Sequence, residues 1–315
     1  MIIRALHTIP EFRDIIALEQ EIWGYSDAED AVGIPIFVIT VKRGGILLGA
    51  YDGDRLIGFV YSIAGLKHGR PMQWSHMLGV LPAYRATGIG RALKLEQRRL
   101  SLEMGLDLME WTYDPLVAVN AYLNVCRLGA VAEEYALNVY GDSSSPLHRG
   151  APTDRFIAQW WMRSPRVVRR LEADGVPSAA RELPSTRAAQ PRSLRAGTPP
   201  GYDSRRVANL QSPIPGVPMV NTVERRGDGL ACTGHDLDRT DPELGVAIPR
   251  DFNEMLERRP DLAHAWRMAS REIFIHYFST GYRVVGFAFV PGGDEGRYLL
   301  RLENPEHRVE PDSSM

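Results

Sequence analysis

The feature that most constrains this fold is an apolar strand followed closely by a glycine-containing loop, a helix and a second apolar strand. The pattern predicts a strand over 72–81, a helix over 90–104 and a strand over 106–113, with Gly88 and Gly90 in the loop. A strand, a crossover helix and a strand form a unit whose two strands are parallel neighbours. The sequence therefore predicts an α/β fold built on a sheet.

The loop that leads into this helix has the residues of an anion site. Gly88 and Gly90 allow successive backbone N–H groups to converge, and the helix N-terminus adds the positive end of its dipole. Arg91 in the first turn is the best placed cation. Lys94 and Arg98 follow on the same face, where they either contact phosphates or form a solvated basic surface. Because glycine turns also serve as plain connections between strands and helices, the loop alone is weak evidence.

Other periodic segments of the N-terminal half predict a mixed sheet with helices, as in α+β folds. Apolar residues at helical spacing from Phe12 to Trp23 indicate an amphipathic helix, and Asp52-Gly53-Asp54 favours a hairpin turn between two apolar runs. The elements predicted besides the βαβ unit are a strand over 2–6, that first helix, strands over 46–51 and 56–63, a helix from Asn120 to about Gly129, and strands over 131–139 and 155–161.

Composition changes divide the chain into three parts. Residues 176–200 are rich in Pro, Ala, Ser and Arg without an apolar period, which is typical of a linker. We expect a first domain over 1–162, a helix and linker over 163–205, and a smaller α+β domain over 206–315. The elements expected in the last part are strands over 218–223, 244–248, 282–290 and 298–302, and helices over 251–258 and 262–278.

Charge and cysteine content exclude several classes of function. The formal net charge of −2 gives no general attraction to nucleic acid or to an anionic membrane, so neither is an expected partner. Cys126 and Cys232 are far apart and have no zinc-ligand spacing, so we expect neither a metal nor a disulfide. Without a signal-like or membrane-spanning run, the expected location is cytoplasmic.

The residues around the loop resemble a known signature. The pattern Val80-x-Pro82-x-Tyr84-Arg85-x-x-Gly88-x-Gly90 is similar to that of the GNAT acyltransferase superfamily, and the resemblance covers roughly residues 1–162. It implies a GNAT fold and an acyl-CoA cosubstrate, with transfer of the acyl group to an amine and without a metal. By the same resemblance, the backbone around Leu78, Gly79 and Val80 would bind the pantetheine arm. The pyrophosphate would be held by Arg85, Ala86, Thr87, Gly88, Ile89 and Gly90, with Arg91 nearby.

Candidate catalytic residues lie on the strands and helix next to this loop. An ammonium group must lose a proton before it attacks a thioester, and His76 on the first parallel strand is the preferred base. Glu110 is the alternative base. Asn120 either contacts the pantetheine arm or caps its helix. The resemblance implies a tyrosine acid four residues before Gly129, but Val125 stands there, and Tyr122 is the substitute unless it is simply a packed aromatic.

Three further expectations concern the acceptor. Tyr113 and Asp114 end the second parallel strand, where they would contact substrate or shape its pocket, although Asp114-Pro115 is also a plain turn. Residues 112–116, 120–124, 128–130, 138–141 and 153–156 resemble a group of long GNAT proteins, some of them similar to amino-acid N-succinyltransferases. That likeness implies acetyl-CoA or succinyl-CoA as donor and a small amine, such as an amino acid, as acceptor. Arg127, Arg149 and Arg155 are the candidate cations for a succinyl group.

Two other functions stay open. A noncatalytic acyl-CoA-binding regulatory module would keep the loop and use the C-terminal half to bind a partner. A protein lysine acetyltransferase would use an acidic groove, although we expect the acids of the first helical region to be solvated: Glu19, Glu21, Asp27, Glu29 and Asp30. In an amine acyltransferase, the C-terminal domain would complete the acceptor pocket or form a homodimer interface.

Overall fold

The computed structural model describes residues 1–24, 31–141, 150–173, 216–227 and 229–303. The predicted linker over 176–200 lies outside these ranges. The described chain forms two compact units, the first comprising 1–111, 150 and 159–173, and the second the rest. Residues 112–141 and 151–158, which the sequence assigns to the first domain, therefore belong to the second unit. The domain boundaries at 162 and 205 stay a prediction.

The first unit contains a sheet in the order β1-β2-β3-β4-β5. The hairpin of β2 and β3 is antiparallel, as the turn at 52–54 predicts, and β4 and β5 are parallel, as the βαβ pattern predicts. The α/β class of fold is thereby confirmed. The elements are β1 (Ile2–Ala5), α1 (Ile9–Trp23), α2 (Ile34–Lys42), β2 (Ile46–Asp52), β3 (Arg55–Lys67), β4 (Arg70–Val80), α3 (Ile89–Glu103), β5 (Leu108–Tyr113) and, later in the chain, α5 (Pro165–Ala173).

Helix α1 packs an apolar stripe on the sheet and ends at a glycine. The Glu11 carboxylate accepts a hydrogen bond of 2.9 Å from the Thr8 N–H at the N-terminus, and Gly24 ends the helix with φ of +66°. Phe12 of the buried stripe contacts Phe37 of α2, with ring centroids 5.7 Å apart. Helix α2 was not predicted, because its nearly uninterrupted apolar sequence has no amphipathic period.

The second unit contains a sheet in the order β7-β6-β11-β12-β10 and a separate hairpin of β8 and β9. Phe156, Phe274 and Tyr298 form part of its aromatic core, with the first two rings 4.7 Å apart. The elements are α4 (Ala118–Ala121) with a π-helical continuation (Tyr122–Arg127), β6 (Val131–Ala136), β7 (Arg155–Trp161), β8 (Asn221–Arg226), β9 (Gly229–His235), β10 (Glu243–Pro249), α6 (Phe252–Arg258), α7 (Pro260–Ser279), β11 (Tyr282–Phe289) and β12 (Glu295–Leu302).

Most predicted elements of the second unit are present with small shifts of their ends. Helix α7 buries one apolar face, on which Leu262, Trp266 and Phe274 lie. The strand expected over 218–223 is β8, three residues later, and β9 was not predicted. None of the helices in the described part of the chain is long and apolar enough to cross a membrane.

Candidate functional site

The loop between β4 and α3 presents its backbone to solvent. After a short 3₁₀ turn at Pro82–Tyr84, residues 85–88 are exposed, and both Ala86 and Gly88 adopt positive φ angles of +60° and +92°. Arg85, just before them, is extended, with φ of −66° and ψ of 155°. Turn conformations that contain left-handed residues can direct successive N–H groups toward one side and form an anion-binding concavity. A Cβ atom built on Gly88 meets nothing within 4 Å, so the space in front of the loop is open.

The N-terminus of α3 faces the same loop without a side-chain cap. Gly88 is the residue before the helix, its side-chain position is empty, and the first turn contains no acidic residue. The first ladder hydrogen bond runs from the Ala92 N–H to the Gly88 carbonyl at 2.9 Å. The backbone N–H groups before Ala92 therefore have no acceptor in the helical ladder, as at the start of every helix. The helix dipole favours an anion there. Thr87 Oγ1 donates to the Tyr84 carbonyl at 2.6 Å and holds the loop in shape.

Strand β4 carries a β-bulge at His76. Tyr61 and Ser62 are consecutive on β3, but they pair with Met77 and Ser75, which leaves His76 without a partner on that strand. A bulge of this kind bends a strand and changes the direction of a side chain, and bulges are frequent beside active sites. The sequence placed His76 on this strand but gave no sign of the bulge.

Beyond the bulge, β4 has a free edge within the described residues. It pairs with β5 through Gln73 and Trp74, while its edge from 75 to 80 has no strand partner on that side. Leu78 and Val80 are partly exposed there. Gly79 is buried, and a Cβ atom at this position would lie only 2.8 Å from Phe59 and 2.9 Å from Ile22. An unpaired strand edge offers backbone donors and acceptors to an extended amide-containing ligand.

His76 is exposed and lies against the buried Tyr61. The two rings are edge-to-face with centroids 6.2 Å apart. Within the described residues, the His76 side chain has no hydrogen bond. The surrounding protein removes water from part of the ring and lowers the pKa of His76 below its usual 6.5. The imidazole is therefore mainly neutral near pH 7 and able to accept a proton.

The predicted basic face of α3 is corrected by the structure. Lys94 and Arg98 are buried, with 2% and 6% exposure, so neither forms a solvated surface. Lys94 Nζ lies 3.1 Å from Gln97 Oε1 and 3.7 Å from the centre of the Trp111 ring, and both nitrogens Nε and Nη2 of Arg98 bind the Met162 carbonyl. The helix turns this face toward the sheet, and only Arg91 of the three is partly exposed near the loop.

Glu110, the alternative base, is engaged by a cation. The carboxylate is buried and forms an ion pair with Lys67 across the sheet. The Lys67 ammonium group therefore already occupies the Glu110 carboxylate. The contact favours His76, and the assignment of both residues stays a prediction.

Asn120 and Tyr122 both lie on the helical segment of the second unit. The helix begins at Ala118 after Val117, so Asn120 is an exposed residue inside it and not its cap, which corrects that alternative. Tyr122 starts the π-helical turn and packs on Phe289 with ring centroids 5.8 Å apart. The contact fits a packed aromatic, and its role as an acid stays a prediction, as does Asn120 as a pantetheine ligand.

Tyr113 and Asp114 are held by the second unit's own residues. Tyr113 is buried against Phe156 at 5.5 Å, and burial raises its pKa. Asp114 accepts two hydrogen bonds from Arg267, at 3.0 and 2.6 Å, and one of 2.9 Å from the Leu116 N–H. The contact with Leu116 shows that Asp114 begins a turn, and the roles of Tyr113 and Asp114 at a substrate pocket stay predictions. Arg267 carried no signal in the sequence, being 153 positions away.

The cations suggested for a succinyl group differ in their surroundings. Arg155 is largely buried, contacts the Tyr140 ring at 5.4 Å and lies 3.6 Å from Asp114, and burial lowers its pKa. Arg127 is partly exposed at the end of the π-helical turn, and Arg149 lies outside the described residues. None of these contacts selects one of the three.

The acids of the first helix are not all solvated. Glu19 is fully buried, which corrects the expectation of a surface position, whereas Glu21 is exposed and lies 3.3 Å from Arg55. Asp27, Glu29 and Asp30 lie outside the described residues. Within the described ranges, no group of three or more His, Cys, Asp or Glu side chains could hold a metal ion.

Solved structures similar to this chain are N-acetyltransferases of the GNAT type. The acetyltransferase of the GNAT family from Streptococcus pneumoniae is 17% identical, with a TM-score of 0.40 over 50% of this chain and 96% of its own. The ribosomal-protein-S18-alanine N-acetyltransferase from Escherichia coli is 16% identical, with a TM-score of 0.40 over 52% and 96%. NAA60 of Arabidopsis thaliana, solved with a bisubstrate analogue, is 17% identical, with a TM-score of 0.40 over 50% and 96%.

The Streptococcus pneumoniae protein is of the family that the motif at 80–90 resembles. The similarity of all three structures extends over about half of this chain, at 16–17% identity. No protein-family model matches the chain, and no curated protein sequence matches it significantly.

Proposed function

We propose that this protein is an acyl-CoA-dependent N-acyltransferase of the GNAT type. The observation that carries the proposal is the loop of residues 85–90, in which an exposed backbone with two positive φ angles leads into an uncapped helix N-terminus. Such a loop suits the diphosphate of coenzyme A, and the free edge of β4 beside it suits the two amide groups of the pantetheine arm. Arg91 adds positive charge to the first helical turn.

The proposed chemistry is direct attack of an amine on the thioester. His76 Nδ1 or Nε2 accepts the proton that the ammonium group loses, and the amine nitrogen then forms the new C–N bond as the C–S bond breaks. The CoA thiolate leaves with the electron pair and takes up the second proton, which the nitrogen loses as the amide forms and which reaches the sulfur through Tyr122 or through water. The lowered pKa of His76 supports its role, because a neutral imidazole is needed at the start of the reaction.

The acceptor in this proposal is a small-molecule amine, such as an amino acid, and the donor is acetyl-CoA or succinyl-CoA. Arg127, Arg149 and Arg155 stay the candidate partners of a succinyl carboxylate, because a guanidinium group can bind a carboxylate with two hydrogen bonds. A noncatalytic acyl-CoA-binding module is the second candidate, since the π-helical segment carries Val125 where the family pattern has a tyrosine.

Calorimetric titration with acetyl-CoA, succinyl-CoA and CoA tests the cofactor site. Gly88→Val should abolish binding, because valine avoids φ of +92° and its side chain would enter the open space before the loop. Gly69→Val is the matched control, since Gly69 also has a positive φ of +78° and nothing within 4 Å of a Cβ atom, but it lies in the β3–β4 turn. Equal binding by wild type and Gly88→Val would refute the site.

Release of the CoA thiol in the presence of amines then separates the two candidate functions. A chain that binds acyl-CoA and releases thiol only when an amine is added is an acyltransferase. Binding without release, over a broad panel of amino acids and alkylamines and of lysine peptides, would favour the noncatalytic module. Turnover of the peptides alone would instead favour a protein lysine acetyltransferase.

A further inference from the structure

The His76 side chain is exposed and lies on a β-bulge. The bulge inserts His76 between Ser75 and Met77, the partners of Ser62 and Tyr61, and so changes the direction of its side chain. A histidine side chain has three staggered χ1 positions and about two χ2 positions. A general base must keep to the combination that reaches the substrate, so the contact that selects this combination matters for the reaction.

The Tyr61 ring is the contact that restricts the imidazole. The two rings meet edge-to-face, at an interplanar angle of 78° and with centroids 6.2 Å apart, which is a preferred geometry for aromatic pairs. In the part of the chain that the structure describes, His76 packs against no other aromatic ring. The contact uses neither imidazole nitrogen, so it orients the ring and leaves the proton-accepting atom available.

Tyr61 is a suitable support because it is itself fixed. Its side chain is fully buried, and its ring meets the Phe37 ring of α2 edge-to-face with centroids 4.9 Å apart. Its hydroxyl lies 2.5 Å from Thr40 Oγ1, which donates its single proton to the Ile36 carbonyl. The Tyr61 hydroxyl must therefore be the donor to Thr40, and its proton is not available to His76. Helix α2 thus fixes the orientation of the ring on which His76 packs.

We propose that Tyr61 is a positioning residue, which holds the His76 imidazole in the orientation that receives the proton of the amine. The inference rests on the proposed function, in which His76 is the base. Without the Tyr61 ring, the imidazole would spread over about six combinations of χ1 and χ2. Equal population of these combinations would lower kcat about sixfold, because only one of them is productive. The affinity for acyl-CoA should not change, since Tyr61 is not part of the loop at 85–90.

NMR of the full chain, labelled with carbon-13 and nitrogen-15 in its histidines, tests the orientation directly. The His76 signals are those that disappear in His76→Ala, and three-bond couplings from its Cγ to its own backbone nitrogen and carbonyl carbon report χ1. They should show one χ1 position in wild type and in Tyr61→Phe, which keeps the ring, and an average over several positions in Tyr61→Leu. Phe12→Leu is the matched control, because Phe12 is a buried ring that packs on Phe37 and makes no ring contact with Tyr61 or His76.

A double-mutant cycle tests whether Tyr61 acts through His76. Turnover is measured with acetyl-CoA and the amine of the panel above that releases the CoA thiol fastest. Tyr61→Leu should lower kcat about sixfold, with the dissociation constant of acetyl-CoA unchanged. The same substitution in His76→Ala should have no further effect, because the group that Tyr61 orients is gone. Tyr61→Phe and Phe12→Leu should keep the wild-type kcat.

The outcomes separate this inference from the proposed function. Averaged His76 couplings in wild type would overturn the proposal without any variant, as would a single χ1 position in folded Tyr61→Leu. An equal loss of kcat from Tyr61→Leu with and without the His76 imidazole would show that Tyr61 supports the fold and does not act through the base. A chain that binds no acyl-CoA or releases no thiol overturns the proposed function, and the couplings still decide whether Tyr61 orients His76.

Discussion

Replacement of Lys94 by Met should stabilise the protein near neutral pH. The ammonium group lies in the core of the first unit, between α3 and the sheet, next to Gln97, Met109 and the Trp111 ring. No carboxylate from the described part of the chain is among its contacts. Burial lowers the pKa of Lys94 well below its ordinary value. Methionine has nearly the same length and shape and brings no charge into this apolar space.

The magnitude follows from three opposing effects. Desolvation of an ammonium group costs several kcal/mol, while a hydrogen bond and a cation–π contact return about 1 to 2 kcal/mol each. Exchange of buried charged groups for well-packed apolar ones is neutral or stabilising by about 1 to 4 kcal/mol in other proteins. We therefore expect Lys94→Met to raise the free energy of unfolding by about 2 kcal/mol at pH 7, within that range.

The pH dependence sharpens this prediction. Between the folded-state pKa of Lys94 and about 10.4, the unfolded chain binds a proton that the folded chain does not, so this residue makes wild-type stability rise with pH. The slope is about 1.4 kcal/mol per pH unit. The advantage of Lys94→Met should therefore shrink as the pH rises through this interval, because the variant lacks the titrating group, and it should reverse once the accumulated change exceeds about 2 kcal/mol.

Urea denaturation at several pH values measures both effects. Lys42→Met, at an exposed position in the last turn of α2, is the control for loss of a positive charge, and it should change stability by less than about 0.5 kcal/mol. Destabilisation by Lys94→Met at pH 7, with a difference that does not depend on pH, would refute the reasoning. It would mean that the aromatic rings and Gln97 hold a protonated lysine.

Two further predictions concern the base and the second unit. His76→Ala should lower kcat at least tenfold, with CoA affinity nearly unchanged. The wild-type rate should rise with pH through a midpoint below 6.5, and the variant should lack this midpoint. The same midpoint in both proteins would exclude His76 as the base. Arg267→Met should cost about 3 kcal/mol of unfolding free energy in denaturant titrations, because Asp114 loses a bidentate partner that is 2% exposed. Arg99→Met removes a surface pair with Glu96 and should cost less than about 0.5 kcal/mol, and equal losses in the two variants would contradict the role of burial.

Local pattern was sufficient to predict the elements that position the loop. The strand, glycine loop, helix and strand of 70–113 each have their own period or turn residues, so they could be predicted before any tertiary contact was known. Helix α2 could not, because an almost wholly apolar segment fits a buried strand as well as a helix. The π-helical turn at Tyr122–Arg127 has no sequence signature, although it changes which residues share a face before Gly129.

The burial of charged residues was the main failure of the sequence analysis. Glu19 lies at the spacing of the apolar stripe of α1, so its position alone could have indicated a buried acid. Lys94 and Arg98 gave no such sign, since the direction in which α3 packs depends on residues far away in the chain, such as Met162 and Trp160. The Arg267–Asp114 pair joins segments 153 positions apart, and a single sequence does not show such pairs.

The division of the chain inside strands β5 and β7 bears on how this protein can be dissected. A fragment that stops at 162 retains Asp114, Asp154 and Phe156 but loses Arg267, Arg271 and Phe274, which neutralise or cover them. Two acids and an aromatic ring would then face water or one another. Expression of the first 162 residues as a separate protein should therefore yield an insoluble product, and biochemical work needs the whole chain.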